Sequence, residues 1–401
     1  MLFLLPIGYN GAMGNIVTYM QEEQRTFSEL PFQAVDSLVC SVICYFNFDR
    51  SFPPVASNGA KTRLHDIVAL SDWSTLCAAS WLEDAKETKD FMQALMASRR
   101  YRDMSVAFYA NEFSNVVEKQ FSATTLFLGQ GTAYLAFRGT DGSFAGWKED
   151  FNLCFKRVIP SQRSAEAYLS GVASATEGPL VIGGHSKGGN LAEYAALVCP
   201  EEVYARVAAV YNHDGPSFLD NPSPRIDEAS FDEKLDKTVP ESSAFGMILE
   251  RRSGYRVVRS SALSVFQHNP FSWEVENGDF ACQETLNKSA VFFDAALDEW
   301  LRSKSAEERE RFIDTIYELF VSTEASSWAE FQSKLLANTK KIVGKGGRLD
   351  PETRKFILST IASLGGILKR ETIKRFRPSP LTWRPLRKER YNTSSNNRNQ
   401  S

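Results

Sequence analysis

The chain is 401 residues long, 43% apolar and 24% charged, with a formal net charge of -3. That length carries one large domain with additions, or two domains, and the apolar share is that of a globular protein rather than a disordered or fibrous one. A balance this close to neutral excludes a global field for a polyanionic partner, although the charge is uneven: from Lys369 onward ten Lys/Arg stand against two acids, a basic tail.

The first residues, Met1 to Pro6, are apolar but short. They lack a basic flank and a cleavage site, so they read as a poor signal peptide, with Met13 as a plausible start. No apolar run approaches the ~20 residues that cross a bilayer. Six cysteines (Cys40, Cys44, Cys77, Cys154, Cys199 and Cys282) lie scattered in apolar contexts. They complete no zinc pattern and read as buried, reduced thiols, which fits a cytoplasmic setting. No cofactor and no metal are expected.

Residues 13–30 are polar and read as an extended arm. Pro31 opens a helix with Val35, Leu38, Val39, Val42 and Phe46 on one face. Residues 62–100 read as helices with Leu82, Phe91, Leu95 and Met96 inward. From Val116 the period becomes two: a strand at 121–128, a turn at Gly129 to Gly131, and a return strand at 132–137. A helix is expected at about 162–176, then an apolar strand run at 179–182 and a buried strand at 207–211. Residues 220–236 form a charged excursion over the site. A strand and short helix are expected within 237–248, and a further strand at 255–260. Strands separated by helices mark an α/β fold with a mostly parallel sheet. From Leu286 the pattern is helical, with a capping box at Ser305 to Glu308, a break at 344–347 and a cap at Asp350-Pro351. Residues 378–401 are rich in Pro, Arg and Asn and read as disordered. The chain thus divides into an N-terminal arm (1–30), an α/β domain (31–285), a helical region (286–377) and a basic tail (378–401).

The chemistry concentrates at Gly184-His185-Ser186-Lys187-Gly188, a G-x-S-x-G run between an apolar strand and a helix-forming stretch. A serine on such a strained turn exposes its hydroxyl at a helix N-terminus, where an oxyanion would be stabilised. The hydroxyl needs a base, and the base an orienting acid. The histidines are His65, His185, His213 and His268. His65 lies in a charged helical segment, His185 is aimed away by the turn, and His213 ends a strand. His268 follows the last strand and completes the chain order Ser, Asp, His with Ser186 and Asp214. Asp214 ends a strand on the carboxyl edge. Glu241 is the alternative acid, with Asp220 and Asp227 weaker. The oxyanion donors are expected to be the Lys187 N–H and Thr140, whose hydroxyl can add to its N–H. Arg138 is expected to brace the Thr140 loop through a carboxylate, with Asp150, near Trp147, as partner.

These blocks carry a resemblance. Phe137-Arg138-Gly139-Thr140, a Trp and an Asp about ten residues on, and Gly184-His185-Ser186-x-Gly188-Gly189 resemble the class 3 lipases. A closer resemblance is to a bacterial, lipase-like family of unknown function labelled Mbeg-like. It spans Met13-Gly14-Asn15-Ile16, Glu29-Leu30-Pro31-Phe32, Gln120-Phe121-Ser122-Ala123, Gly146 to Phe151, Asp214-Gly215-Pro216 and Gln267-His268 with Ser272-Trp273. The resemblance implies an α/β-hydrolase fold, a serine nucleophile and ester or lipid hydrolysis. Two departures stand out. Lys187 replaces the usual apolar residue after the serine, which is expected to change the pocket entrance. The Val239-Pro240-Glu241-Ser242 stretch lacks the aspartate of the class 3 acid loop.

The function read from the sequence is a serine hydrolase cleaving a carboxylic ester of a small molecule or lipid, with thioesters and amides as variants of the same chemistry. The alternative is a non-catalytic binding or scaffold protein on a hydrolase fold, whose basic tail docks on an anionic membrane or nucleic acid. Nucleic acid is not the favoured partner.

Overall fold

The computed structural model describes residues 13–321, apart from Ala79, Asp84, Gln130, 142–143, Cys154 and 224–227. The basic tail from Lys369, the break at 344–347, the Asp350-Pro351 cap and the 378–401 segment lie outside the described residues.

Eleven strands are described: β1 (Thr62–Arg63), β2 (Ser105–Ser114), β3 (Lys119–Gly129), β4 (Thr132–Phe137), β5 (Leu180–His185), β6 (Val207–His213), β7 (Leu235–Pro240), β8 (Tyr255–Val258), β9 (Val275–Glu276), β10 (Asp279–Phe280) and β11 (Cys282–Gln283). The helices are α1 (Ile16–Glu22), α2 (Ala34–Ile43), α3 (Leu64–Leu70), α4 (Trp73–Leu76), α5 (Thr88–Ala97), α6 (Phe144–Asn152), α7 (Pro160–Ala175), α8 (Lys187–Val198), α9 (Glu201–Tyr204), α10 (Glu228–Asp232), α11 (Lys288–Ser303) and α12 (Ala306–Val321). Nine strands form one sheet in the order β1-β2-β3-β4-β5-β6-β7-β8-β11. The five from β4 to β8 are parallel, and antiparallel neighbours extend both sides.

Sequential parallel order has a consequence. Crossovers of one hand that always step in the same direction deliver their helices to one face of the sheet. That face is covered by α7 and α8, whose Leu169, Val172, Leu191 and Ala195 pack on Leu135, Phe137, Leu180, Ile182 and Val210. The other face would be left bare. It is covered by the N-terminal helices, with Val35, Leu38 and Val42 packed in the same core as Tyr134, Ala136 and Val181. Period two does the sorting: Tyr134 and Ala136 face one core, Ala133, Leu135 and Phe137 the other. This is an α/β-hydrolase arrangement, a mixed sheet with a parallel centre flanked by helices on both faces.

The segment expected as an extended arm carries a helix over Ile16–Glu22. Asn15 caps α1, its Oδ1 accepting from the Val17 N–H at 2.9 Å and the Thr18 N–H at 3.3 Å. Ile16, Tyr19 and Met20 are buried. Gly14 bridges Val275, and Asn15 Nδ2 donates to the Phe271 carbonyl at 2.8 Å, so this stretch buttresses the loop after His268. A strand at 105–114 was not expected. Phe108 adopts φ 53° where the β2–β3 register shifts, and this bulge interrupts the period-two signal. Residues 62–100 hold three short helices and the edge strand β1. Cys40, Cys44, Cys77 and Cys199 are buried, but Cys282, on the outermost strand, is exposed. The Ser305 capping box forms as read, Ser305 N–H to Glu308 Oε2 at 2.9 Å and Glu308 N–H to Ser305 Oγ at 3.2 Å. Leu286 and Ala290 pack on Val239 and Val257, which ties α11 to the sheet.

A buried ion pair fastens the N-terminal layer. Arg100 Nη2 and Asp36 Oδ2 are 2.6 Å apart, with both side chains fully buried. Asp36 also accepts from Tyr101 Oη at 2.5 Å, Tyr19 Oη at 3.1 Å and the Gln33 N–H at 2.7 Å. Arg100 donates to the carbonyls of Arg25, Leu30 and Pro31. Arg100→Met strands a buried carboxylate, and urea titration should show a loss of about 3–5 kcal/mol. A loss below about 1 kcal/mol would show that the pair is dispensable.

Candidate active site

Ser186 follows β5 with φ 60° and ψ -134°, a backbone region that a non-glycine residue occupies only when its surroundings force it. Its N–H donates to the His213 carbonyl at 2.8 Å, and its carbonyl accepts from the Gly189 N–H at 2.9 Å. The end of β4 runs directly under this turn. A Cβ on Gly184 would lie 2.6 Å from the Phe137 carbonyl oxygen, and one on Gly188 2.9 Å from the Phe137 carbonyl carbon. Only glycine fits at the two outer positions of G-x-S-x-G.

Register brings the other groups to the same edge. His185 pairs with His213, and His213 with Thr238, so loops after β4, β5, β6, β7 and β8 all leave at the carboxyl end of the parallel strands. Asp214 directly follows β6 with φ 56°. Its Oδ2 lies 2.6 Å from His268 Nδ1. Its Oδ1 accepts from Ser243 Oγ at 2.5 Å and the Gly246 N–H at 3.0 Å. The Asp214 side chain is fully buried, whereas that of His268 is 23% exposed. A carboxylate with both oxygens occupied is fixed in place. It favours the tautomer with the proton on Nδ1, which leaves the Nε2 lone pair free to act as a base.

Two rings pack on the imidazole, both tilted to it, with the Phe245 ring centroid 4.4 Å away and that of His185 at 4.6 Å. His185 Nε2 donates to the His268 carbonyl at 2.9 Å. Burial holds the His185 pKa well below the ordinary histidine value, so it remains a neutral donor. Trp273 Nε1 donates to the neighbouring Gln267 carbonyl at 2.8 Å. Among the described residues the Ser186 hydroxyl takes no hydrogen bond. Serine–imidazole contacts in unliganded sites are commonly long and tighten when substrate binds.

Lys187 opens α8, where the first N–H groups have no intrahelical acceptor. The loop after β4 lies against it: a Cβ on Gly139 would be 2.6 Å from the His185 carbonyl oxygen and 3.1 Å from Ser186 Cβ. Thr140 is the next residue.

The sequence profile of the Mbeg1-like family matches residues 95–318, more than half of the chain. The chain belongs to the Mbeg1-like family. All the residues of this edge, from Thr140 to His268, fall within that family match. No curated protein matches the chain in sequence. Two solved structures are similar to it at a distance. M37 lipase has 13% identity and a TM-score of 0.33, over 54% of this chain and 70% of its own. The Rhizomucor miehei lipase, in a propeptide complex, has 14% identity and a TM-score of 0.30, over 70% of this chain and 89% of its own. Likeness at these scores is slight, and the fold assignment rests on strand order and register.

The remaining candidates separate cleanly. Glu241 accepts from Gln267 Nε2 at 3.1 Å and stays with the residue before His268. His213 lies on the opposite face with Nε2 2.9 Å from Ser37 Oγ, and burial pushes its pKa down to about 3. His65 is partly exposed beside Asp66. Asp220 pairs with Arg157 at 3.1 Å, and Asp227 lies outside the described residues. Arg138 does not reach Asp150: it donates to Asn111 Oδ1 at 3.2 Å, and Asp141 is 3.7 Å away. Lys187 does not shape the entrance either. Its ammonium is fully buried, with Gln120 O at 2.9 Å, Gln120 Oε1 at 3.0 Å and Glu149 Oε2 at 2.9 Å. The Thr140 hydroxyl donates to Asp150 Oδ2, so it is already committed and only the Thr140 N–H is left for an oxyanion. Among the described residues no group of three His, Cys, Asp or Glu side chains could hold a metal ion, and no helix is long and apolar enough to cross a membrane.

Asp150 carries a pH signature. Its Oδ1 is buried without a hydrogen bond, and burial raises its pKa from 3.8 to about 6 against the opposing charge of Lys187 and the Thr140 hydrogen bond. The folded chain therefore holds an extra proton between those values, and stability falls as pH rises through that window. Asp150→Asn can still accept from Thr140. Thermal melts should place it above wild type at about pH 8, with the gap closing below about pH 4. A gap independent of pH would show that Asp150 is not the group responsible.

Proposed function

We propose that the chain is a serine hydrolase that cleaves carboxylic esters, acyl lipids among them. The observation that carries this reading is the 2.6 Å contact between His268 and the buried Asp214, on the same edge as a serine held at φ 60°. A strained serine on the same strand edge as an imidazole oriented by a buried carboxylate has no evident packing purpose, and strain of that kind costs roughly 1–3 kcal/mol.

In this reading Ser186 Oγ attacks the ester carbonyl while His268 Nε2 takes the hydroxyl proton. The carbonyl π electrons move onto oxygen, which is met by the Lys187 and Thr140 N–H groups. Collapse of the tetrahedral intermediate breaks the bond to the alcohol, which leaves with the proton from His268. Water then attacks the acyl-serine with His268 again as base, and the acid is released. Asp214 holds the tautomer and stabilises the imidazolium throughout. A panel of p-nitrophenyl esters of graded acyl length, with a thioester and an anilide alongside, tests the reading. Hydrolysis of the esters above the Ser186→Ala background supports it. Inertness of the folded protein toward all three bond classes would refute it.

A further inference from the structure

We propose that Lys187 is a positioning residue, its buried ammonium locking the oxyanion loop at residues 138–141 to the turn that carries Ser186. The inference rests on the hydrolase reading and assigns the lysine side chain a part in it. A desolvated ammonium is costly, and an apolar side chain would start α8 at no such cost. What the charge gains is a particular set of partners, each leading to the loop. Gln120 Oε1, 3.0 Å from Lys187 Nζ, also accepts from the Asp141 N–H at 3.3 Å. Glu149 Oε2, 2.9 Å from the ammonium, accepts from the Gln120 N–H at 3.0 Å and Ser161 Oγ at 2.8 Å, joining the start of α7 to the start of β3. Asp150 Oδ1 is 3.9 Å from the ammonium, and Asp150 Oδ2 accepts from the Thr140 hydroxyl. The loop is therefore tied by hydrogen bonds at Asp141 through Gln120 to the ammonium, and at Thr140 to Asp150, whose other oxygen faces the same ammonium as an opposite charge at 3.9 Å. The backbone N–H of Lys187 meets the oxyanion from one side, while its side chain sets where the second donor stands.

The test uses full-length protein with Lys187→Met, and with Lys187→Met combined with Glu149→Gln, which avoids stranding a buried carboxylate. Active sites are titrated with a fluorophosphonate, and kcat and KM are measured on the best p-nitrophenyl ester. For both variants kcat per titrated site should fall about 10- to 100-fold with KM within about twofold, the mark of a displaced transition-state donor. An unchanged kcat per titrated site in the double variant, whatever its melting temperature, would overturn the proposal and leave Lys187 as a folding strut. A wild-type protein that neither labels nor turns over would instead overturn the hydrolase reading, and this inference with it.

Discussion

Ser186→Ala is expected to lower kcat toward the proposed ester substrate by about a millionfold, to the residue of catalysis that bound substrate and oxyanion donors give alone. The fold should survive the change. The Ser186 N–H and carbonyl hold the turn through His213 and Gly189, and neither contact uses the hydroxyl. Melting temperature should hold, because alanine keeps the same Cβ in the same backbone conformation and removes only a hydroxyl that takes no hydrogen bond among the described residues. A variant that kept more than about a hundredth of wild-type turnover would point to a different nucleophile.

The second large effect separates the two candidate acids. Asp214→Asn should cost about ten thousandfold in kcat, because an amide facing Nδ1 favours the wrong tautomer and leaves the imidazolium unstabilised. Glu241→Gln should leave kcat close to wild type, since Glu241 meets Gln267 and not His268. The reverse ranking would move the acid to the loop after β7. Stopped-turnover assays on one ester, with both proteins corrected for titrated sites, decide between them.

Much of this edge was legible in the sequence, for reasons that differ by residue. The turn at Ser186 was readable because its geometry rejects a Cβ at Gly184 and Gly188, so the backbone wrote itself into the composition. The parallel strands were readable because both faces are buried, giving continuous apolar runs. Asp214 stands ahead of Glu241 in the sequence only through chain order and its strand end, since both leave the same edge and only the loop after β8 decides which one meets His268. The Lys187 side chain was out of reach. Its partners Glu149 and Gln120 lie 38 and 67 positions away, and a lysine after the serine of a G-x-S-x-G turn reads as solvent-facing until those contacts are known. Helix α1 was missed because its apolar face is four residues set among Gln and Glu, and what anchors it, Phe271, is 256 positions downstream.

The chemistry stands or falls on one hydroxyl, and covalent mapping reads it directly. Full-length protein is incubated with a fluorophosphonate, digested and sequenced by mass spectrometry. The adduct is expected on the peptide that carries Ser186, lost in Ser186→Ala and slowed by orders of magnitude in His268→Ala. A folded protein that takes no label, or a label that persists on another serine in Ser186→Ala, would contradict the assignment of Ser186 as nucleophile.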